Sequence, residues 1–299
     1  MKKKWLTVLL IAGMIAVFTL ARTTTPDSSV IVADEMTPLS LELVYEGSKP
    51  DGVGSVQSFA ITPDYFVVAG RPPGTAEEGG ETNNRIMVID RMKLDDVSER
   101  FDAAMGLYEL GHANGMTYDP VENRLLVVGV DGELNNHDAV AQIDARNFEQ
   151  GDNIELASGS ASGIAYMGGG NFVIRSGGWI RFAPGNFSRC DDAFYFLSGL
   201  AVQDIGYYND HVYLADWARW KEFGALLKIG LRENENVIYR FDEEGNVKAF
   251  LISSPRHELE SIDFIDGEAY VLMNGFGRNG DSFFIYKIIN NEAGTDFVS

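Results

Sequence analysis

The chain has 299 residues, 45% of them hydrophobic, which is enough for one large domain or two smaller ones with a packed core. Its 44 Asp and Glu exceed its 24 Lys and Arg, and the net charge of −20 argues against a nucleic-acid partner or an anionic lipid surface. The single cysteine, Cys190, excludes an internal disulfide. A high glycine content of 32 residues favours many short strands joined by tight turns over long helices.

The N-terminus is a charged and then apolar segment. Lys2, Lys3 and Lys4 precede the run WLTVLLIAGMIAVFTLA, which has the order of a secretory signal. We predict a signal peptide over residues 1–21. An uncleaved membrane anchor through residues 5–21 is the alternative, because the run is about the minimum that spans a bilayer. Both interpretations place the protein outside the cytoplasm, secreted or anchored, with residues 22–40 as a linker.

A repeated pattern occupies the rest of the chain. Each copy opens with a polar residue, then a small or polar residue and a large apolar one, followed by a turn and a β-rich strand. Two strands joined by a tight turn are typical of a hairpin, and each copy continues with further strands. The copies open at Gln57, Asn114, Ser162, Gln203 and Glu260. This pattern predicts an all-β fold over residues 41–299, a five-bladed β-propeller of four-stranded antiparallel blades.

The two ends of the repeat region complement each other. The last copy has room for three clear strands, while the strand-like segment Leu41–Gly47 precedes the first blade and has no blade of its own. We expect this segment to be the outer strand of the last blade. Such an N-terminal strand closes the ring and leaves no open sheet edge between the first and last blades.

The repeat resembles the exported bacterial propellers of the broad NHL-repeat and regucalcin/gluconolactonase-like class, over about residues 41–290. The resemblance implies an architecture rather than an activity, because propellers support binding, hydrolysis, lyase chemistry and scaffolding alike. It also implies a divalent ion at the channel mouth, where related propellers often hold one.

The opening residues of the five copies are predicted to meet. The first strand of each blade lines the axis of a propeller, so these side chains point to one mouth of the central channel, with His112 and Asp204 beside them. The simpler interpretation is that polar side chains hydrate a wet channel. The alternative is a Ca²⁺ site, because hard oxygen donors from different blades suit that ion. Its predicted ligands are Glu260, Asp204, Asn114 and Gln203.

The connections between second and third strands are predicted to surround the same mouth. Trp179, Trp217 and Trp220 are candidates for an aromatic platform that binds a glycan or a small molecule. Arg71 and Arg175, near the ends of second strands, are candidates for binding a carboxylate or phosphate, or else pair with loop glutamates. Asn274 ends a second strand in the last copy. Ordinary variation of surface loops is the competing explanation of these connections.

The sequence therefore predicts an extracytoplasmic propeller, expected to be monomeric, that binds a small molecule, glycan or surface protein at the channel mouth. The ligand-binding set is Gln57, Asn114, Ser162, Gln203, Arg71, Arg175, Trp179, Trp217, Trp220 and Asn274. The alternative is a Ca²⁺-assisted hydrolase or lyase, with Glu260 and Asp204 as metal ligand or base and His112 as acid–base. No Ser-His-Asp signature, phosphate loop or CxxC motif is present in the sequence.

Overall fold

The computed structural model describes residues 36–73, 83–94, 102–104, 108–129, 139–195, 202–217, 235–242, 246–253, 257–275, 280–289 and 297–298. Within these ranges the chain is all-β, and its only helical element is a short 3₁₀ turn, Arg91–Lys93. No helix in this part of the chain is long and apolar enough to cross a membrane. The predicted signal segment lies outside the described residues.

The strands follow one another in five blades. Two strands, β1 (Met36–Pro38) and β2 (Ser40–Ser48), precede blade 1. Blade 1 contains β3 (Ser55–Ile61), β4 (Tyr65–Arg71), β5 (Asn83–Asp90), β6 (Asp102–Ala104) and β7 (Tyr108–Glu109). Blade 2 contains β8 (Gly115–Asp119), β9 (Arg124–Val128), β10 (Ala139–Asp144) and β11 (Ile154–Glu155). Blade 3 contains β12 (Gly163–Gly168), β13 (Asn171–Ser176), β14 (Trp179–Pro184) and β15 (Asp191–Tyr195). Blade 4 contains β16 (Val202–Tyr208), β17 (His211–Trp217), β18 (Glu235–Phe241) and β19 (Val247–Ser253), and blade 5 contains β20 (His257–Ile265), β21 (Glu268–Gly275) and β22 (Ser282–Ile289).

The first strand of each blade lies innermost. Strands β3, β8, β12, β16 and β20 contact one another in sequence, and β20 contacts β3, so the ring is complete. Within a blade the strands pair antiparallel in chain order outward from the axis, except that β7 of blade 1 pairs with β5. The five-bladed propeller predicted from the repeat is therefore confirmed. Its axis has two ends, which we call the mouth, where the innermost strands begin, and the hairpin face, where the first and second strands join.

Strand β2 closes the ring as predicted. It pairs antiparallel with β22 and becomes the outer strand of blade 5. Tyr45 of this strand is 2% exposed and its ring lies 5.7 Å from that of Phe283. Gly47 faces the same two rings, and a Cβ there would lie 2.5 Å from the Tyr45 ring, so only glycine fits. The closing strand is thus held by both backbone pairing and aromatic packing.

Strand β1 lies within the segment expected to be a linker. It pairs in parallel with β19 and adds a fifth strand to the outer edge of blade 4. The N–H of Leu39 also donates to the carbonyl of Leu251 at 2.9 Å. Three residues are too few to show an alternating pattern in the sequence, and the edge of β19 supplies the backbone partners that stabilise them.

The core lies between adjacent blades, because both faces of each sheet pack against neighbours. At the interface of blades 4 and 5 the fully buried Phe297, near the C-terminus, inserts from the hairpin face. Its ring packs edge-on against Phe250 at 4.8 Å. Its carbonyl accepts hydrogen bonds from the Tyr213 hydroxyl at 2.8 Å and from Arg240 Nη1 at 3.1 Å. Phe297 is thus part of the packed ring.

Candidate binding site at the axial mouth

β-Bulges place the predicted polar residues at the mouth. In three blades the pairing register between the first and second strands shifts by one residue at the opening of the repeat. The extra residues at these shifts are Gln57, Gln203 and Glu260. A bulge sets two residues of one strand opposite a single partner and commonly occurs next to functional sites. It explains why two consecutive polar residues open each of these copies, one at the mouth and one deeper on the axis.

Asp204 is the deeper residue of blade 4 and joins several blades at the hub. Its side chain is fully buried. One carboxylate oxygen accepts from the Ser261 hydroxyl of blade 5 at 2.6 Å, and the other accepts from the N–H of Ile205 at 2.7 Å. Gly115 of blade 2 leaves the room that the carboxyl occupies, since a Cβ there would lie 2.7 Å from Asp204 Oδ1. Burial raises the pKa of Asp204 well above its usual value, so the carboxyl tends to hold a proton.

Further polar contacts join the innermost strands of neighbouring blades. Asp263 accepts from the N–H of Ile61 in blade 1 at 2.7 Å. Thr117 of blade 2 accepts from the N–H of Tyr166 in blade 3 at 3.0 Å. These side chains satisfy backbone groups that a first strand would otherwise leave unpaired along the axis. Burial raises the pKa of Asp263 to about 7.

Two glutamates of β20 dominate the mouth. Glu260 is 2% and Glu258 9% exposed, and they lie two residues apart on one strand. Burial and the adjacent charge of Glu258 raise the pKa of Glu260 well above its usual value, against the opposing effects of Lys49 and Arg71. The side chain of Asn274 lies next to the Glu260 carboxyl and acts to lower its pKa. The Asn274 Oδ1 atom is buried and has no hydrogen-bond partner among the residues that the structure describes.

Basic side chains surround the two glutamates. Lys49, which follows the closing strand, donates to the carbonyl of Gly280 at 2.6 Å and is attracted by the charges of Glu258 and Glu260. Burial nevertheless lowers the pKa of Lys49. Arg71 Nη1 lies 3.0 Å from His112 Nε2. The mouth therefore presents acidic and basic groups in alternation rather than one sign of charge.

His112 is carried by a conformationally unusual segment. The next residue, Ala113, has a φ of 53°, in the left-handed region that non-glycine residues seldom adopt. The N–H of Ala113 donates to the Gly129 carbonyl at 3.3 Å. The Ala113 carbonyl accepts from the Ser58 hydroxyl at 2.7 Å. Cross-blade hydrogen bonding thus stabilises the turn that brings His112 to Arg71.

The opposite side of the mouth belongs to blades 3 and 4. Arg175 Nη1 donates to the carbonyl of Val202 at 2.7 Å, and the charges of Asp216 and Asp204 attract its guanidinium. Burial lowers the pKa of Arg175. Asp216 is fully buried. Gln203 Nε2 reaches across to donate to Glu258 Oε1 at 3.1 Å, which links blades 4 and 5.

The remaining predicted residues lie around this group. Gln57 is 8% exposed and its amide donates to Val56 and Ser55 of its own strand, both at 2.9 Å. Asn114 and Ser162 are half-buried at the starts of blades 2 and 3. The N–H of Ser162 donates to the carbonyl of Arg175 at 2.9 Å. All five opening residues of the repeat therefore lie at the same end of the propeller.

The tryptophans lie at different radii. Trp217 is half-buried at the end of a second strand, next to Asp216. Trp179 begins the third strand of blade 3 after a two-residue turn, and its ring packs against Tyr195 of the fourth strand at 5.1 Å. It is displaced outward by two strands, about 10 Å, from the innermost position. Trp220 lies outside the described residues. The aromatic platform stays a prediction.

The calcium prediction concerns Glu260, Asp204, Asn114 and Gln203, which come from blades 5, 4 and 2. Both oxygens of Asp204 accept hydrogen bonds from protein donors, which leaves the carboxyl poorly suited to bind a metal. Within the described ranges, no group of three His, Cys, Asp or Glu residues is arranged to hold a metal ion. Calcium binding stays a prediction, and we assign the ion no part in the site.

Sequence reasoning missed several members of the site. Glu258 gave a weak signal, since it precedes Glu260 by two residues and so shares its side of the strand. Lys49 gave none, because its position depends on how the ring closes. Asn84 and Asn236 each form hydrogen bonds to the backbone of the chain that enters the next blade. Asn236 donates to the carbonyl of His257 and accepts from the N–H of Leu259, both at 3.0 Å.

Comparison with known protein families and with curated proteins finds no match to this chain. The resemblance to the NHL-repeat and regucalcin/gluconolactonase-like class consequently stays a prediction. What is established is the fold: a β-propeller of five four-stranded blades with a polar, largely buried group of side chains at one end of its axis.

Proposed function

We propose that this protein is an extracytoplasmic binding module that captures a small neutral molecule rich in hydroxyl groups, such as a saccharide, at the axial mouth. The observation that carries the proposal is the buried Asn274 Oδ1, which has no hydrogen-bond partner among the described residues and lies beside the buried Glu260. A buried acceptor without a donor costs about 1–3 kcal/mol, which a ligand hydroxyl would recover.

The balance of charge favours a neutral ligand. Glu258 and Glu260 are acceptors, whereas Lys49 and Arg71 supply N–H donors within the same electrostatic environment. With two groups of each sign, the mouth offers no net attraction to a cation or to an anion. Hydroxyl groups both donate and accept hydrogen bonds. A polyol can therefore bond to the acidic acceptors and to the basic donors without carrying a net charge. In this proposal the half-buried Trp217 supplies an apolar ring face at the rim.

Secretion or anchoring is part of the proposal and is supported by the charged and apolar segment at residues 1–21. A hydrolase or lyase at the same mouth is the other function considered. Asp204 is removed from solvent and bonded to protein donors, so we give it a structural role and no catalytic one. For Glu260 and His112, predicted above as catalytic groups, we propose contact with the bound ligand instead.

The proposal is tested by isothermal titration calorimetry with glucose, galactose, N-acetylglucosamine, maltose and cellobiose. We expect at least one sugar to bind, and Asn274→Ala to weaken that binding at least tenfold. The matched control is Asn171→Ala, the same change at an exposed position on the hairpin face. Failure of all five sugars to bind, or equal affinity in both variants, refutes the proposal.

A second pair of variants tests the acidic groups. Glu260→Gln keeps the size of the side chain but removes its ability to ionise. We expect weaker sugar binding at pH 8, where the native carboxyl has the greater tendency to lose its proton, and a smaller effect at pH 5. Glu122→Gln, at an exposed turn, is the control. A pH-independent effect would show that ionisation of Glu260 does not contribute.

A further inference from the structure

The hairpin face carries a second repeated feature, independent of the proposed function at the mouth. The chain that follows the third strand of a blade inserts an apolar side chain into the groove shared with the preceding blade. Phe148 fills the groove between blades 1 and 2, and Phe187 that between blades 2 and 3. Phe297 fills the groove between blades 4 and 5, and the half-buried Leu94 packs between blades 5 and 1.

Blade 4 departs from this pattern. Its corresponding connection, between β18 and β19, has the sequence Asp-Glu-Glu-Gly-Asn over residues 242–246, which contains no apolar residue. It is also one residue shorter: the N–H of Asp242 bonds to the carbonyl of Asn246, whereas that of Asp144 bonds to Glu149. Asn246 itself is exposed and its amide donates to Asp242 Oδ2 at 2.8 Å.

The groove between blades 3 and 4 contains a cavity of about 340 Å³. Its apolar wall includes Met167, Phe182, Phe194 and Tyr207, and the carboxylates of Asp210 and Asp242 also line it. Phe182 is 38% exposed, which is unusual for a phenylalanine between two blades. A second cavity of about 270 Å³ adjoins it and shares Met167 and Phe182.

Strand register relates this cavity to the groove that Phe297 fills. In blade 4 Phe250, opposite Ile238, forms the outer wall around Phe297. In blade 3 the residue opposite Ile180 is Phe194, which occupies the same place in its own blade. Each phenylalanine lies on the fourth strand of its blade and pairs with an isoleucine on the third strand. That isoleucine pairs with a residue on the second strand, which in turn pairs with a residue on the innermost strand, next to the axis.

The other walls correspond as well. Arg240 pairs with Tyr213 beside Phe297, and in blade 3 Phe182 pairs with Val173. Within the part of the chain that the structure describes, this groove is open and has the form of the filled one, with Phe182 in the place of Arg240. It is equally aromatic, and the volume of about 340 Å³ is at the lower end of the range for pockets that hold a ligand.

We propose that the groove between blades 3 and 4 docks an aromatic side chain presented by another polypeptide, next to a Lys or Arg of that partner. Phe148, Phe187 and Phe297 are the precedent within this chain. Their insertion is accompanied by bonds to the inserted backbone, as when the Tyr108 hydroxyl donates to the carbonyl of Phe148 at 2.7 Å. A polypeptide, rather than a free aromatic molecule, supplies both the ring and such a carbonyl.

The basic neighbour follows from charge complementarity. Asp210 and Asp242 place two carboxylates on the cavity wall, and the protein as a whole carries a net charge of −20. A Lys or Arg beside the inserted ring would lie at the rim, where attraction to these carboxylates adds to the burial of the ring. It would also increase the rate of encounter at low salt.

The experiment uses the full chain with ¹³C-labelled methionine methyl groups and the capped tripeptide Lys-Phe-Lys as the probe. Met167, on the cavity wall, is the reporter, and its signal is assigned by its loss in Met167→Leu. We expect the Met167 methyl signal to shift on titration with Lys-Phe-Lys and to remain unchanged with Lys-Ala-Lys. No shift with Lys-Phe-Lys, or equal shifts with both peptides, overturns the proposal.

Two variants locate the effect. Ala193→Trp adds a large ring at an exposed position that lines the cavity, and we expect it to abolish the shift. Glu155→Trp, at an exposed position on the outer strand of blade 2, is the matched control and should leave the shift intact. Binding that survives Ala193→Trp places the peptide elsewhere. A response to phenethylamine as strong as that to Lys-Phe-Lys would contradict the requirement for a polypeptide.

A third variant restores the missing side chain. Replacing residues 242–246 with the blade 2 turn, residues 144–149, introduces the equivalent of Phe148. We expect the ring to fill the cavity, raise the melting temperature and prevent Lys-Phe-Lys from binding. A graft that raises stability but leaves peptide binding unchanged would show that the peptide does not enter the groove.

Discussion

Replacing Phe297 with Ala should destabilise the whole propeller, although the residue lies near the C-terminus. Its ring is fully buried between blades 4 and 5, and contacts Phe250 and Tyr213 at centroid distances of 4.8 and 5.3 Å. Truncating a buried phenylalanine costs about 3–5 kcal/mol, from the lost transfer free energy and the cavity that remains. The hydrogen bonds to its carbonyl are backbone interactions that the substitution does not itself remove.

The measurement is urea unfolding followed by tryptophan fluorescence and circular dichroism. We expect the midpoint to fall without a change in slope, and the melting temperature to fall by about 2–4 °C for each kcal/mol. The control is Phe182→Ala in the corresponding open groove, where the ring is 38% exposed. Its cost should be smaller, because less apolar surface returns to water. A loss below about 1 kcal/mol for Phe297→Ala, or equal losses for the two variants, would refute the reasoning.

Three further predictions concern the axis. Gly115→Ala should cost about 1–3 kcal/mol in thermal unfolding, since its Cβ would approach Asp204 Oδ1 to 2.7 Å; an unchanged melting temperature would contradict the packing. Ser261→Ala should cost about 1–3 kcal/mol in urea unfolding because Asp204 loses a donor, and a neutral result would mean that another group replaces it. Asp263, whose pKa is about 7 in the folded protein against about 3.9 unfolded, binds its proton more tightly when folded. Its contribution to the free energy of unfolding should therefore decrease as the pH rises from about 4 to 7, seen as the difference between wild type and Asp263→Asn; a contribution that grows with pH would contradict the sign.

The ring could be predicted from the sequence because each copy of the repeat has the same order of residue types. A polar residue followed by apolar alternation and a turn marks each first hairpin, and five such marks specify five blades. The closing strand could be predicted because the last copy of the repeat has no fourth strand of its own, whereas a strand-like segment without a blade precedes the first copy. Strand β1 was not, because its three residues carry no periodicity and depend on the edge that β19 offers.

The site was less predictable than the ring, because its chemistry depends on contacts between blades. Asp204 was expected at the mouth, yet the bulge at Gln203 places it deeper, where Ser261 binds it. Nothing in the sequence indicates that Lys49 approaches Glu260, since almost the whole domain separates them along the chain. Asn274 was recognised as polar, but only the structure reveals that its Oδ1 is buried.

Blade 5 is assembled from two distant parts of the chain. Strand β2 precedes every blade, yet its partner β22 follows the first four. Until β22 is available, β2 and one flank of blade 1 lack their native neighbours, so completing the circle is expected to be the slowest event of folding. In that interval β2 of one molecule can pair with β22 of another. Crowded or rapid refolding should therefore favour exchanged dimers over misfolded monomers.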